Sequence, residues 1–203
     1  MKLYYSPGTC SLADHIVLEW TGAPYELVRV EREERKQPAF LEINPAGAVP
    51  VFEDGGKRLL QNSAILNYLA DKFPATKLGG DGSAWSRAEV NQWLALINSD
   101  LHPLFKPFFG GSDYLEDKAV IEKTQENARK SLRTLFERLD RQLEGRDWLT
   151  GARSIADPYL FVVLRWAKAQ HIDLGGLANL ARFEKHIRAD AGVKKALKEQ
   201  AID

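Results

Sequence analysis

The chain has 203 residues, 44% of them apolar, and its 28 Lys+Arg balance 28 Asp+Glu to a formal net charge of zero. That length allows one large domain or two small ones with a sizeable core. The charge balance supplies no basic field for nucleic acid or an acidic membrane. A single cysteine excludes an internal disulfide and fits a reducing compartment.

The start MKLYYSPG reaches turn residues before an apolar stretch can form, so no secretory leader is expected. The longest apolar run, YLFVVL, is too short to span a membrane. These features predict a soluble, cytoplasmic protein. Residues 2–6 (KLYYS) read as an aromatic-rich strand closed by Pro7-Gly8. Leu12, Ile16, Val17 and Trp20 then recur at helical spacing until Thr21-Gly22. YELVRV (25–30) is a second strand, EREERK a solvated charged loop, and PAFLEINP a short helical turn. VPVFE and RLL flank Asp54-Gly55-Gly56, a hairpin signal. A helix around Ile65, Leu66, Tyr68, Leu69 and Phe73 ends before Pro74. The order, βαβα and then ββα, predicts a small α/β domain over residues 1–75.

A linker rich in Gly, Thr and Ser is expected at 76–84, and no convincing strand follows it. Val90, Trp93, Leu94, Ile97 and Leu101 share one face of a helix that carries His102 near its end. Ile121, Leu132, Leu135, Phe136, Leu139 and Leu143 suit a second long helix. Residues 155–166 are apolar on nearly every side and predict a buried central helix. Leu177, Leu180, Phe183 and Ile187 mark another. Strands and helices in separate blocks predict an α/β domain followed by an all-α domain at 85–203.

Five stretches carry candidate chemistry. Cys10 sits where a helix begins, beside unpaired N–H groups and the positive dipole end, so its thiol pKa is expected to fall. Ser11 and Asp14 have capping-box spacing at the same helix start. One thiol cannot close its own disulfide, so a redox cycle there needs an external thiol. In AGAVPVF, Val49-Pro50 is either an edge device or a cis peptide that leaves the Val49 backbone free to pair with an extended peptide. In QNSAI, Asn62 or Ser63 caps a helix whose N-terminus suits a carboxylate. His102 is followed by Phe105, Phe108 and Phe109, a packing group or an apolar wall. Ser154 and Asp157 form a second Ser-x-x-Asp box, for which a purely folding role is expected. The histidines and the cysteine show no metal spacing, so no metal is predicted.

In their order, YYSPGTCSLA, NPAGAVPVF, QNSAILNYLAD and SIADPYLFVVLRWA resemble the cytosolic glutathione transferases over nearly the whole chain. The lone Cys10 after Pro-Gly, with His102 in DLH, is similar to the bacterial beta class. The resemblance implies a thioredoxin-like N-terminal domain, an all-helical C-terminal domain and a homodimer, with glutathione bound between the domains. It implies that Val49, before a cis-Pro50, pairs with the cysteinyl backbone of glutathione. Gln61, Asn62 and Ser63 then meet the γ-glutamyl end, and Lys36 or Arg35 the glycyl carboxylate. Cys10 contacts the glutathione sulfur, with Ser11, Tyr5 and His102 as catalytic neighbours. Phe105, Phe108 and Trp166 line the electrophile pocket. The expected reaction is conjugation of glutathione to apolar electrophiles, with thiol–disulfide exchange through Cys10 beside it. Rival readings are a non-catalytic ligand- or protein-binding module on the same fold, and a glutathione-dependent isomerase or dehalogenase. The sequence departs from the family pattern at Asn62, where a serine is common, and at Pro103, where a basic residue can stand.

Overall fold

In the computed structural model, which describes residues 1–202, the chain begins with a four-stranded mixed sheet of order β2-β1-β3-β4. β1 (Lys2–Tyr5) lies parallel to β2 (Glu26–Arg29), with Leu3 opposite Leu27. It lies antiparallel to β3 (Val51–Asp54), with Leu3 opposite Phe52. β3 returns as β4 (Lys57–Leu60) through Gly55 and Gly56, whose φ values of 57° and 76° suit a type I′ hairpin. The parallel pair needs a crossover, and α1 (Ser11–Thr21) supplies it. α2 (Pro38–Leu41) is a single turn and α3 (Asn62–Lys72) follows the hairpin.

The rest of the described chain is helical: α4 (Ala84–Ala95), α5 (Lys118–Gln142), α6 (Ala156–Ala169), α7 (Ala178–Ala189) and α8 (Ala191–Glu199). Ser83 caps α4, Asp117 caps α5 and Asp190 caps α8, each side chain accepting from backbone N–H groups. The helix expected through Leu101 is broken into three. After α4 the backbone widens into a π-turn over Leu96–Leu101 and then tightens into 3₁₀ turns over His102–Phe108. Pro103 and Pro107 lack the N–H groups that an α-ladder needs there. α8 was not expected: it buries only Val193, Ala196 and Leu197, too few apolar positions to stand out among its lysines.

α6 is the central helix, buried without interruption from Ala156 to Leu164. The Ser154–Asp157 box at its start holds as expected. Asp157 accepts from the Ser154 N–H (2.7 Å), the Ser154 hydroxyl (2.8 Å) and the Leu149 N–H (2.9 Å). The segment before α4 is anchored at Leu78, which is fully buried and accepts from the Ile155 N–H at 2.9 Å. One large core joins sheet and helices through α1, α3 and α6, while Tyr4, Val30, Phe40, Val49 and Val51 form a small second core under α2. Among the described residues no helix is long and apolar enough to cross a membrane.

Candidate active site

Cys10 is the N-cap residue of α1, half-buried, with backbone angles of φ −57° and ψ −23°. Its loop is held from the helical side. Gly8, at φ 71°, donates its N–H to Gln200 Oε1 (3.1 Å) and accepts from Trp166 Nε1 through its carbonyl (2.8 Å). The capping box expected from Ser11 and Asp14 does not form. Ser11 is fully buried and turns back to Ser6 O (3.3 Å) and Thr9 Oγ1 (2.7 Å), so α1 has no side-chain cap. The expected lowering of the Cys10 thiol is reversed. Burial and then the Asp14 carboxyl push it up to about 12, against the Cys10 and Ser11 N–H groups and Arg35. The dipole end is present, but desolvation outweighs it.

The Cys10 thiol points to the Val49 carbonyl, 3.8 Å away. The Val49-Pro50 peptide is cis. Gly47 before it has φ 60°, and a Cβ there would lie 2.9 Å from the Arg35 carbonyl. Only glycine lets the loop carrying Arg35 pack this closely on the Val49 turn. α3 begins at Asn62 after Gln61, whose φ is 74°. Neither Asn62 nor Ser63 caps it by a side chain, contrary to expectation. The Asn62 side chain is buried and spent elsewhere. In the orientation that satisfies its neighbours, its amide donates to the Cys10 carbonyl (3.0 Å) and to Asp14 Oδ2 (2.7 Å).

His102 opens the 3₁₀ segment and reaches the cleft. Its Nδ1 shares a hydrogen bond of 2.5 Å with the Tyr159 hydroxyl, which also donates to Asn98 Oδ1 (3.4 Å). Trp166 stands edge-on to it with ring centroids 4.7 Å apart. Burial and then the Lys106 charge push His102 down to about 4, so it is neutral near pH 7.

Two recesses meet at Cys10, Val49 and His102. The larger, about 760 Å³, is walled by Pro7, Arg32, Arg35, Phe108, Phe109 and Trp166. The smaller, about 540 Å³, is lined by Asn44, Pro50, Gln61, Asn62, Lys106 and Tyr159. The larger joins cationic and aromatic walls, and the smaller sets the amides of Asn44, Gln61 and Asn62, the Lys106 amine and the Tyr159 hydroxyl into a largely apolar lining, so together they suit an extended polar ligand beside an apolar one.

Not every expected residue reaches this cleft. Tyr5 is buried against His15, with ring centroids 6.3 Å apart, and Ser11 is in the loop's interior. Lys36 points into solvent, whereas Arg35 one residue earlier lines the wall with its Nε buried and unpartnered. Ser63 lies behind the N-terminus of α3, its carbonyl accepting from Asn67 Nδ2 (2.9 Å). Phe105 is fully buried behind Trp166, and Phe109 takes the wall position instead, its ring 5.3 Å from that of Trp166. Sequence reasoning missed Asn98 and Tyr159. The signal available was a tyrosine in the most apolar helix, whose hydroxyl needs a partner, and an Asn–His pair four residues apart.

Where α1 meets α8, His15, Glu19 and Glu199 bring side-chain atoms within 4.8 Å of one another, although their sequence spacing did not suggest it. Glu19 already pairs with Lys195 (2.8 Å) and accepts from the Tyr25 hydroxyl.

The glutathione S-transferase N-terminal domain family matches residues 1–71, and the C-terminal domain family matches residues 96–190. The chain is 52% identical to glutathione S-transferase GST-4.5 of Xanthomonas campestris pv. campestris over 100% of both chains. Its fold overlays a glutathione S-transferase from Xylella fastidiosa with a TM-score of 0.97 at 47% identity, covering 100% of this chain and 99% of that one. A sphingomonad glutathione S-transferase solved in complex with glutathione matches over 100% of both chains, with a TM-score of 0.87 and 37% identity.

Proposed function

The chain belongs to the glutathione S-transferase family and is a glutathione transferase, and we propose that it is of the beta-class type, with Cys10 beside the glutathione sulfur. The observation that carries this reading is the meeting of the two recesses, one with the Arg35 and aromatic walls and one with Gln61 and Asn62, at Cys10 and the Val49 carbonyl. The cysteinyl backbone of glutathione pairs with Val49. The γ-glutamyl end lies at Gln61 and Asn62, where the N-terminus of α3 favours a carboxylate. Arg35, with an unpartnered buried Nε, takes the glycyl carboxylate in place of Lys36. The electrophile lies against Phe108, Phe109 and Trp166.

Glutathione's thiol loses its proton and the thiolate attacks the electrophile. Each unit by which the site lowers that thiol's pKa is worth about 1.4 kcal/mol of preference for thiolate. Cys10, pushed up to about 12, stays protonated and donates to the new thiolate. His102 stays neutral and closes the wall with Tyr159 and Asn98. The same sulfur supports slower thiol–disulfide exchange, with glutathione as the resolving thiol. The protein acts in the cytoplasm as a homodimer, without metal.

Conjugation of 1-chloro-2,4-dinitrobenzene and glutathione-dependent reduction of bis(2-hydroxyethyl) disulfide, measured on the wild type and Cys10→Ala, test this. The expected outcome is that Cys10→Ala keeps conjugation within about tenfold and loses exchange. Intact exchange in Cys10→Ala would remove Cys10 from that reaction.

A further inference from the structure

Asp14 is a buried acid that the mechanism above leaves unused. It lies one helical turn beyond Cys10 on α1, on the same face, and is fully buried. Its side chain accepts from the Asn62 amide, and that amide also holds the Cys10 carbonyl. The carboxyl is therefore tied through one amide to the backbone of Cys10 and lies outside the cleft wall. The other groups facing this pair are the Tyr159 hydroxyl from α6 and the Arg35 guanidinium from the loop before α2. His15 adjoins Asp14 in sequence, but its ring bonds Tyr25, Glu199 and Gln200.

We propose that Asp14 biases the cleft between two reactions: by adding to the burial that keeps Cys10 a neutral hydrogen-bond donor, it favours attack by the glutathione sulfur on an electrophile over disulfide exchange at Cys10. This rests on the glutathione placement proposed above. Two acids one turn apart in a desolvated site ionise in sequence, the carboxyl first, and its charge then opposes the thiolate. Burial holds the Asp14 carboxyl well above the usual carboxylate range, and its charge is the second cause that raises Cys10. A protonated Cys10 donates to the glutathione thiolate and cannot itself attack.

Exchange needs the opposite state. The Cys10 thiolate attacks a mixed disulfide of glutathione, the old S–S bond breaks, and the other thiol leaves as thiolate and takes up a proton. A second glutathione thiolate then attacks the Cys10–glutathione disulfide, releasing glutathione disulfide and restoring Cys10. The first glutathione forms the mixed disulfide by displacing one thiol from the substrate disulfide, so over the whole cycle one substrate disulfide is reduced to two thiols and two glutathiones are oxidised to one glutathione disulfide, and the electrons balance.

The lone cysteine makes the test direct, because iodoacetamide reads Cys10 only. Alkylation rate against pH is measured for the wild type, Asp14→Asn and Asp14→Ser, each shown to be folded by circular dichroism. Conjugation of 1-chloro-2,4-dinitrobenzene and reduction of bis(2-hydroxyethyl) disulfide follow on the same proteins. The expected result is a fall of about one unit in the apparent thiol pKa, an alkylation rate about tenfold higher at pH 8, and a ratio of exchange to conjugation raised by a similar factor. Alkylation profiles that superimpose on the wild type in both variants overturn the proposal. Equal exchange in the wild type and Cys10→Ala overturns the underlying placement of Cys10 instead, even where the alkylation profiles move.

Discussion

His102 lies between Trp166 and Tyr159, no carboxylate among the described residues hydrogen-bonds it, and burial holds it down near 4. Two outcomes follow at the residue scale. The rate–pH profile of conjugation carries no inflection from His102 between pH 5.5 and 7.5, so the His102→Asn profile has the same shape as the wild type there. The sign for stability is also set. The unfolded histidine takes a proton near 6.5 and the folded one refuses it down to about 4, so stability present above 6.5 is lost as pH falls through that window. The full loss is on the order of 3 kcal/mol, read as the urea midpoint at pH 7 against pH 4.5 in wild type and His102→Asn. Arg35 and Lys36 provide a paired test: Arg35→Ala raises the KM for glutathione about tenfold with kcat nearly unchanged, and Lys36→Ala moves neither. Equal effects from both would refute the assignment to Arg35. Cys10, Val49 and His102 were legible as residues because each sits at a recognisable break: a helix start, an X-Pro turn, a Pro-rich helix end. The state of Cys10 was not, because a helix-end dipole is visible in the sequence while desolvation and a carboxyl one turn away are visible only in the fold.

Elements with a strong local signal came through: the Asp54-Gly55-Gly56 hairpin, the apolar α6 and the box at its start. That box gives a stability prediction. Asp157→Ala strips the partner from the buried Leu149 and Ser154 N–H groups and costs about 3 kcal/mol, measured as a lower urea midpoint with an unchanged m-value. A loss below about 0.5 kcal/mol would mean that water replaces the carboxyl there. Elements whose form depends on tertiary packing did not come through. The π-turn at Leu96–Leu101 keeps the same apolar residues inward as an α-helix, since Leu96, Ile97 and Leu101 are all buried. Periodicity therefore could not reveal it, yet it aims Asn98 and His102 at Tyr159. Phe105 left its expected place on the wall for the same reason: the turn after Pro103 buries its ring and leaves those of Phe108 and Phe109 on the cleft.

At the scale of the whole molecule, an α/β part followed by a helical part was legible from the blockwise change of periodicity. The sharing of one core between the two parts was not. Sedimentation velocity tests the proposed dimer, with a species of twice the 22.9 kDa chain mass expected at micromolar concentration. The long-range seam is tested at Gln200, whose amide joins Gly8 of the Cys10 loop to His15 of α1. Gln200→Leu leaves the Gly8 N–H without that partner, so a loss of about 1–3 kcal/mol and a raised KM for glutathione are expected together. Unchanged binding in a destabilised variant would separate the seam from the site. Gly8 and Gln200 are 192 positions apart. At bacterial or eukaryotic elongation speeds, roughly 10–40 s pass between synthesis of the one and of the other. The nascent chain can thus pair its strands early on the ribosome while its reactive loop still waits for the far helix, and the enzyme becomes competent late in its own translation.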